Sequence, residues 1–83
     1  MKSAHPYTLD ALHPGESATI LAMHAGAELH RRLAALGLRV GKHVRILRRG
    51  HFAGPLHIRV GTTDLMLRAK DASCIQVQRA RQA

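Results

Sequence analysis

Histidine has the most conspicuous chemistry in this sequence, because it occupies seven of the 83 positions. Imidazole is the commonest side-chain ligand of transition metals, and His24 precedes Glu28 by four residues, the spacing of one helical turn. That pair could contribute to a metal site. The predicted helix carries no His-x-x-x-His pair, and a single cysteine excludes a multi-cysteine zinc site. We therefore expect no required cofactor, and any zinc, nickel or iron that binds to do so weakly and adventitiously.

The acidic residues and the cysteine give no pattern for catalysis. Catalysis needs a nucleophile beside a base, two opposed carboxylates, or a metal with an open position. The five acids are scattered over predicted turns and strand ends, where caps and solvated charges are their ordinary roles. Cys74 lies at the start of a predicted strand and reads as a small buried hydrophobe. The sequence predicts that this chain is not an enzyme.

The charge balance indicates an acidic partner. Lysine and arginine number 13 against five acids, a formal net charge of +8. Nucleic acid, anionic lipid and an acidic protein surface all remain open on charge alone. Tyr7 and Phe52 are the only aromatic residues, which disfavours a platform for stacking bases. We expect a protein partner, no nucleic acid and no membrane insertion, and we allow for weak self-association.

The hydrophobic pattern predicts a mainly β protein. Apolar residues alternate over 17–23, 42–48, 56–60, 64–68 and 75–77, which predicts five strands. Over residues 25–36 the period changes, because Leu29, Leu33 and Leu36 fall on one helical stripe. Gly37 ends that helix, with Leu38 folding back on Leu33 in a Schellman motif. The prediction is one domain over residues 1–83, a small five-stranded SH3-like barrel with one α-helix between strands one and two.

Three surfaces of this predicted fold are candidates for partner binding. One is the outward face of strands two to four, although an ordinary solvated sheet surface explains the same residues equally well. It comprises Arg45, His57, Arg59, Met66 and Arg68. The others are a loop and the helix surface, since loops carried on a rigid scaffold concentrate binding residues. They comprise Arg49, His51 and Phe52 in the loop, and Glu28, Arg31 and Arg32 on the helix.

The order of apolar residues and glycines resembles a known family over nearly the whole chain. The matching stretches are Leu9-x-x-Leu12-x-x-Gly15, Ala18-x-Ile20, Leu29-x-x-x-Leu33-x-x-Leu36-Gly37-Leu38-x-x-Gly41, Gly54-Pro55-Leu56-x-Ile58, Leu65-x-Leu67-Arg68 and Ala72-x-x-Ile75-x-Val77. They are similar to the FeoA proteins that accompany the FeoB ferrous iron transporter.

This resemblance implies an SH3-like barrel, free in the cytoplasm, that binds the cytosolic GTPase region of FeoB and modulates the transporter. The matching residues are mostly core and turn residues, so no site residue is carried over from the family. A basic nucleic-acid-binding barrel and a metal-binding chaperone or sensor domain remain the alternative functions.

Overall fold

The first strand among the described residues is short, and no alternation in the sequence marks it. The computed structural model describes residues 7–51 and 54–80. In chain order the elements are β1 (Tyr7–Thr8), a 3-10 helix (Leu9–Ala11), β2 (Ser17–Met23), α1 (Ala27–Ala35), β3 (His43–Arg49), β4 (Leu56–Val60), β5 (Thr63–Leu67), α2 (Ala69–Ala72) and β6 (Ile75–Arg79).

All strand pairs are antiparallel, and they form one sheet in the order β1-β6-β2-β3-β4-β5. The prediction of a five-stranded barrel is therefore confirmed only in part. The sheet has six strands, and within residues 7–51 and 54–80 no ladder joins β5 to β1, so the hydrogen-bonded sheet is open. The additional strand has only two residues, too few to show alternation, and it forms by pairing with β6 at the far end of the chain.

The helices also differ from the prediction of one α-helix between strands one and two. The predicted helix lies between the second and third strands, because the short β1, which was not predicted, comes before the strand that was predicted as the first. The helix is also shorter at both ends than the predicted residues 25–36. A second α-helix, α2, occupies the segment after β5, and its Ala72 is fully buried. Alanine carries little hydrophobic signal, so the sequence pattern did not mark Ala72 as a core residue.

The end of α1 has the predicted Schellman geometry. Gly37 has a φ of +98°, and its N–H donates to the carbonyl of Ala34 at 3.0 Å. The N–H of Leu38 donates to the carbonyl of Leu33, also at 3.0 Å, and both leucine side chains are buried. This pair of bonds satisfies carbonyl groups that the end of a helix would leave without partners.

The core lies against one face of the sheet, and it contains most of the residues that alternation predicted. Its members are Leu9, Leu12, Ala18, Ile20, Leu33, Leu38, Val44, Ile46, Leu56, Ile58, Val60, Leu67, Ala72, Ile75 and Val77. Three predicted members differ: Leu29 and Leu65 are only partly buried, and Leu36 is 44% exposed. Leu36 is the C-cap residue of α1, so it lies just outside the regular helix whose stripe predicted it to be buried.

Two β-bulges shift the alternation within long strands. In β2 the register slips at Leu21, so that Met23 lies opposite Ile75 and packs against the core. In β3 the register slips at Leu47, and Arg49 comes to lie opposite the buried Leu56. A bulge sets two residues against one on the neighbouring strand, so it moves every later side chain to the other face.

Candidate partner-binding surface

The bulge in β3 decides the role of Arg49, which the sequence placed among the partner-binding residues. Its Nη1 donates a 2.6 Å hydrogen bond to the carbonyl oxygen of Leu12, and the residue is half-buried. Arg49 thus ties the end of β3 to the segment that follows the 3-10 helix. Of its predicted companions in the loop, His51 is exposed in a turn, and Phe52 lies outside the described residues.

The helix residues of the predicted surface are all exposed. Glu28 and Arg31 lie on α1, as does Arg32, whose Nη2 is 3.8 Å from Oδ2 of Asp71 in α2. The side chain of Arg32 is 60% exposed, and an ion pair at that separation with an exposed partner contributes little to stability. Arg31 has no ion pair among the described residues, so its charge remains available to a partner.

On the outer face of the sheet, the arginines do not form an uninterrupted basic patch. Arg45 lies directly opposite Arg59, which in turn lies opposite Asp64 on β5. Arg59 holds Asp64 with two hydrogen bonds, from Nε to Oδ1 at 2.6 Å and from Nη2 to Oδ2 at 3.0 Å. These bonds lower the pKa of Asp64 and raise that of Arg59. The charge of Arg59 is therefore locally neutralised, while Arg45 has no acidic partner among the described residues.

The remaining members of that predicted face lie around the same pair. His57 is opposite Met66, and its Nε2 is 3.9 Å from Oδ2 of Asp64. Arg68 follows the end of β5 and is the residue before α2, so it does not share the strand on which the sequence placed it. Only part of the face is therefore a continuous cationic surface.

The predicted metal pair lacks the geometry that its spacing suggested. His24 follows the end of β2 and precedes α1, which begins at Ala27, so His24 and Glu28 are not one helical turn apart. The Nε2 of His24 lies 3.1 Å from Oε1 of Gln76. No group of three or more histidine, cysteine or acidic side chains within residues 7–51 and 54–80 is arranged to hold a metal ion.

The sequence did not identify a groove at the C-terminal end of α1. The groove has a volume of about 320 Å³. It is lined by Leu36, Gly37, Lys42, His43, Val60, Gly61 and Thr63. A second groove of about 290 Å³ shares His43 and Gly61 with it and extends past Arg45 and Arg59. We call the first of these the Leu36 groove.

The one feature of the sequence that could have indicated this groove is the position of its two glycines, Gly37 and Gly61, at turns. Gly37 and Gly61 both have positive φ, at +98° and +63°, so each marks a turn that L-residues rarely adopt. A methyl group built on Gly37 would lie 3.9 Å from Cγ1 of Val60. The lack of a side chain at this position thus leaves space between the end of α1 and the end of β4.

The two α-helices are short compared with a membrane-spanning helix. Over residues 7–51 and 54–80, neither α-helix is long and apolar enough to cross a bilayer.

Comparison with solved structures shows the fold. A crystal structure of an iron uptake regulatory protein, FeoA, is 22% identical, with a TM-score of 0.85 over 92% of this chain and 100% of that one. The FeoA of Stenotrophomonas maltophilia, solved with zinc and described as an SH3 domain protein, is 32% identical, with a TM-score of 0.76 over 93% of this chain and 99% of that one.

A third similar structure is longer than this chain. The iron(II) transport protein A of Clostridium thermocellum is 28% identical, with a TM-score of 0.83 over 87% of this chain, which spans only 44% of that one. Among curated protein sequences, none matches this chain significantly.

The sequence pattern of the FeoA domain matches residues 7–79, which is nearly all of the chain. The fold is accordingly SH3-like, as in the Stenotrophomonas maltophilia protein, and the family is associated with ferrous iron transport. This chain therefore belongs to the FeoA domain family.

Proposed function

We propose that this chain is a small cytoplasmic accessory protein of ferrous iron uptake, which binds the cytosolic GTPase region of a FeoB-type transporter and modulates it. It acts by binding, without catalysing a reaction, and residues 1–83 work as one domain. The family membership supports the iron-transport context. For the similar Stenotrophomonas maltophilia protein, a role as a ferrous iron transport activating factor has been suggested.

The observation that carries the binding role is the surplus of exposed positive charge. Three of the five acids, Glu16, Asp64 and Asp71, are engaged by arginines of the same chain. Within residues 7–51 and 54–80, Arg31 and Arg45 are exposed and lack such partners. Unpaired like charges on one molecule attract an acidic partner and accelerate its association.

The experiment is a calorimetric titration of the protein with the purified cytosolic domain of the FeoB-type transporter from the same genome, at low and high salt. We expect saturable binding that weakens as the salt concentration rises, because exposed charges are screened over a Debye length of about 10 Å at 0.1 M. Nucleotide turnover by the domain is measured in parallel, with GTP as substrate. Absence of binding at low salt would reject the proposed function.

A matched pair of variants on α1 tests the helix surface. Arg31→Glu and Glu28→Arg change exposed residues of one helix in opposite directions. Arg31→Glu should weaken binding about two- to fivefold, the size expected for an exposed ion pair of 0.5–1 kcal/mol, and Glu28→Arg should not weaken it. If both variants bind the domain with the affinity of the wild type, this part of α1 is excluded from the contact.

Random-sequence DNA is the comparison ligand for the nucleic-acid alternative. Binding to phosphate backbones depends steeply on salt, so an interaction of that kind should be strongest near 50 mM salt. Tighter binding to DNA than to the transporter domain at that salt concentration would favour the alternative function.

A further inference from the structure

The Leu36 groove combines an apolar wall with a cationic mouth. Leu36 at the end of α1 supplies most of the exposed aliphatic surface, Val60 at the end of β4 lines the groove with the 7% of its surface that is exposed, and Lys42 and His43 supply polar groups. Leu36 leaves 44% of its surface in contact with water. Apolar area of a leucine that is left in water becomes a source of binding free energy when a partner covers it.

The groove is formed by segments that hydrogen bonds hold in place, one of them through the backbone and another through a side chain. The Schellman motif determines the end of α1, with Gly37 donating to Ala34 at 3.0 Å. On the opposite side, Nδ1 of His43 lies 2.9 Å from Oγ1 of Thr19 in the neighbouring strand. The groove therefore exists before a partner arrives, and binding there requires little ordering of this chain.

The charge around the groove favours carboxylates. Asp64, which follows the groove residue Thr63, is already held by two hydrogen bonds from Arg59. Lys42 at the groove and Arg45 in the adjoining one form no ion pair among the described residues. The two adjoining grooves thus place an apolar slot beside uncompensated positive charge.

These features distinguish between kinds of occupant. A nucleic acid would use the cations but not the aliphatic wall, and among the described residues no phenylalanine, tyrosine or tryptophan side chain lines either groove to stack a base. With a volume of about 320 Å³, the slot is at the lower end of the range for small-molecule sites, which is about 300–1,000 Å³. A protruding apolar side chain on a peptide segment uses both the slot and the charge.

We propose that the Leu36 groove is the docking site for a protein segment in which a large apolar side chain is flanked by carboxylates. The apolar side chain covers Leu36 and Val60, and the carboxylates lie against Lys42 and Arg45. This inference rests on the proposed function, in that the segment belongs to the cytosolic region of the FeoB-type transporter.

Two pairs of matched variants test the groove, with the purified cytosolic domain of the transporter as the probe. Leu36→Ser is compared with Leu21→Ser, because Leu21 is a similarly exposed leucine, at 41%, on a bulge in β2. Lys42→Glu is compared with Lys70→Glu, a reversal of equal charge on the exposed surface of α2. Thermal unfolding confirms that each variant is folded before its affinity is measured.

We expect Leu36→Ser to weaken binding about tenfold and Lys42→Glu about fivefold, as for anchoring residues of an interface, with both controls within about twofold of the wild type. In addition, the amide NMR signals of Gly37 and Gly61 in the wild-type protein should shift on titration with the domain. This measurement is independent of any variant's stability.

Three outcomes would overturn the inference. If the wild type binds the domain and the groove variants bind equally well, with no shift at Gly37 or Gly61, the groove is not the contact while the proposed function stands. If Leu36→Ser instead abolishes self-association in sedimentation, the occupant is a second copy of this chain. If the wild type does not bind the domain at all, the proposed function fails, and the inference fails with it.

Discussion

Replacement of Gly37 by alanine separates backbone strain from steric crowding at the end of α1. Gly37 has a φ of +98°, a conformation that costs an L-residue about 1–2 kcal/mol. A Cβ atom there would meet nothing closer than Cγ1 of Val60 at 3.9 Å, an ordinary van der Waals distance. The expected loss for Gly37→Ala is therefore the strain alone, about 1–2 kcal/mol of the free energy of unfolding.

That loss is a large part of the total stability, which is about 4–12 kcal/mol for a chain of 83 residues. For a domain of this size, 1 kcal/mol lowers Tm by about 4–8 °C. Urea denaturation followed by circular dichroism measures the change directly. The slope against urea should not alter, because the surface exposed on unfolding stays the same.

Two further variants make the interpretation testable. Asparagine tolerates positive φ better than alanine, so Gly37→Asn should cost less than Gly37→Ala even though its side chain is larger. Gly26, the N-cap of the same helix, has a φ of −64° with no atom near its Cβ position, so Gly26→Ala adds no backbone strain. The gain of about 0.4–1 kcal/mol from a less flexible unfolded chain opposes the N-cap preference for glycine over alanine, so the net loss of stability should be smaller than for Gly37→Ala. A greater loss for asparagine than for alanine at Gly37 would refute the strain argument and indicate crowding.

Four other substitutions have definite expected outcomes. Leu33→Ala should destabilise by about 2–5 kcal/mol in urea denaturation because Leu33 is buried in the core, whereas Leu36→Ala, on an exposed leucine, should cost less than about 1 kcal/mol. Arg49→Met should cost about 1.5–3 kcal/mol, because it removes the charged donor to the carbonyl of Leu12, and an unchanged urea midpoint would contradict this. The pKa of Glu16 is held below its ordinary value of 4.5, chiefly by a hydrogen bond from the backbone N–H of His13 and further by Arg79. A carboxyl whose pKa is lowered stabilises the fold above its ordinary pKa and loses that contribution as the pH falls below it, so denaturation from pH 6 to pH 3 should show a smaller loss in Glu16→Gln than in the wild type. Equal pH dependence of the two proteins would show that Glu16 does not contribute.

Most of the local structure followed from the spacing of a few residue types. Strict alternation placed β4 at Leu56–Val60, and the leucine stripe with Gly37 located the end of α1, both of which the structure confirms. These elements are set by neighbours in the sequence, since a strand alternates with period two and a helix with a period of 3.6. For the same reason the pattern of core residues was sufficient to indicate the family to which the chain belongs.

The candidate site could not be predicted from spacing in the sequence, because its residues come from segments that are far apart in the chain. Because of the bulge at Leu47, Arg49 donates to the carbonyl of Leu12 and does not belong to the predicted binding loop. The spacing of residues in the sequence does not predict where a bulge occurs. Arg59 was predicted to lie on a candidate partner-binding face, but the pairing of β4 with β5 set Asp64 opposite it.

Residue spacing alone was enough to identify most of the core residues and the end of α1, and composition alone shows the large positive charge. Only the tertiary structure decided that Leu36 faces water and that Lys42 and Val60 line one groove with it. The physical reason is that periodicity depends on the local backbone, whereas a groove depends on which distant segments pack side by side. The end of one helix and the turn between two strands acquire a shared surface only when the sheet has assembled.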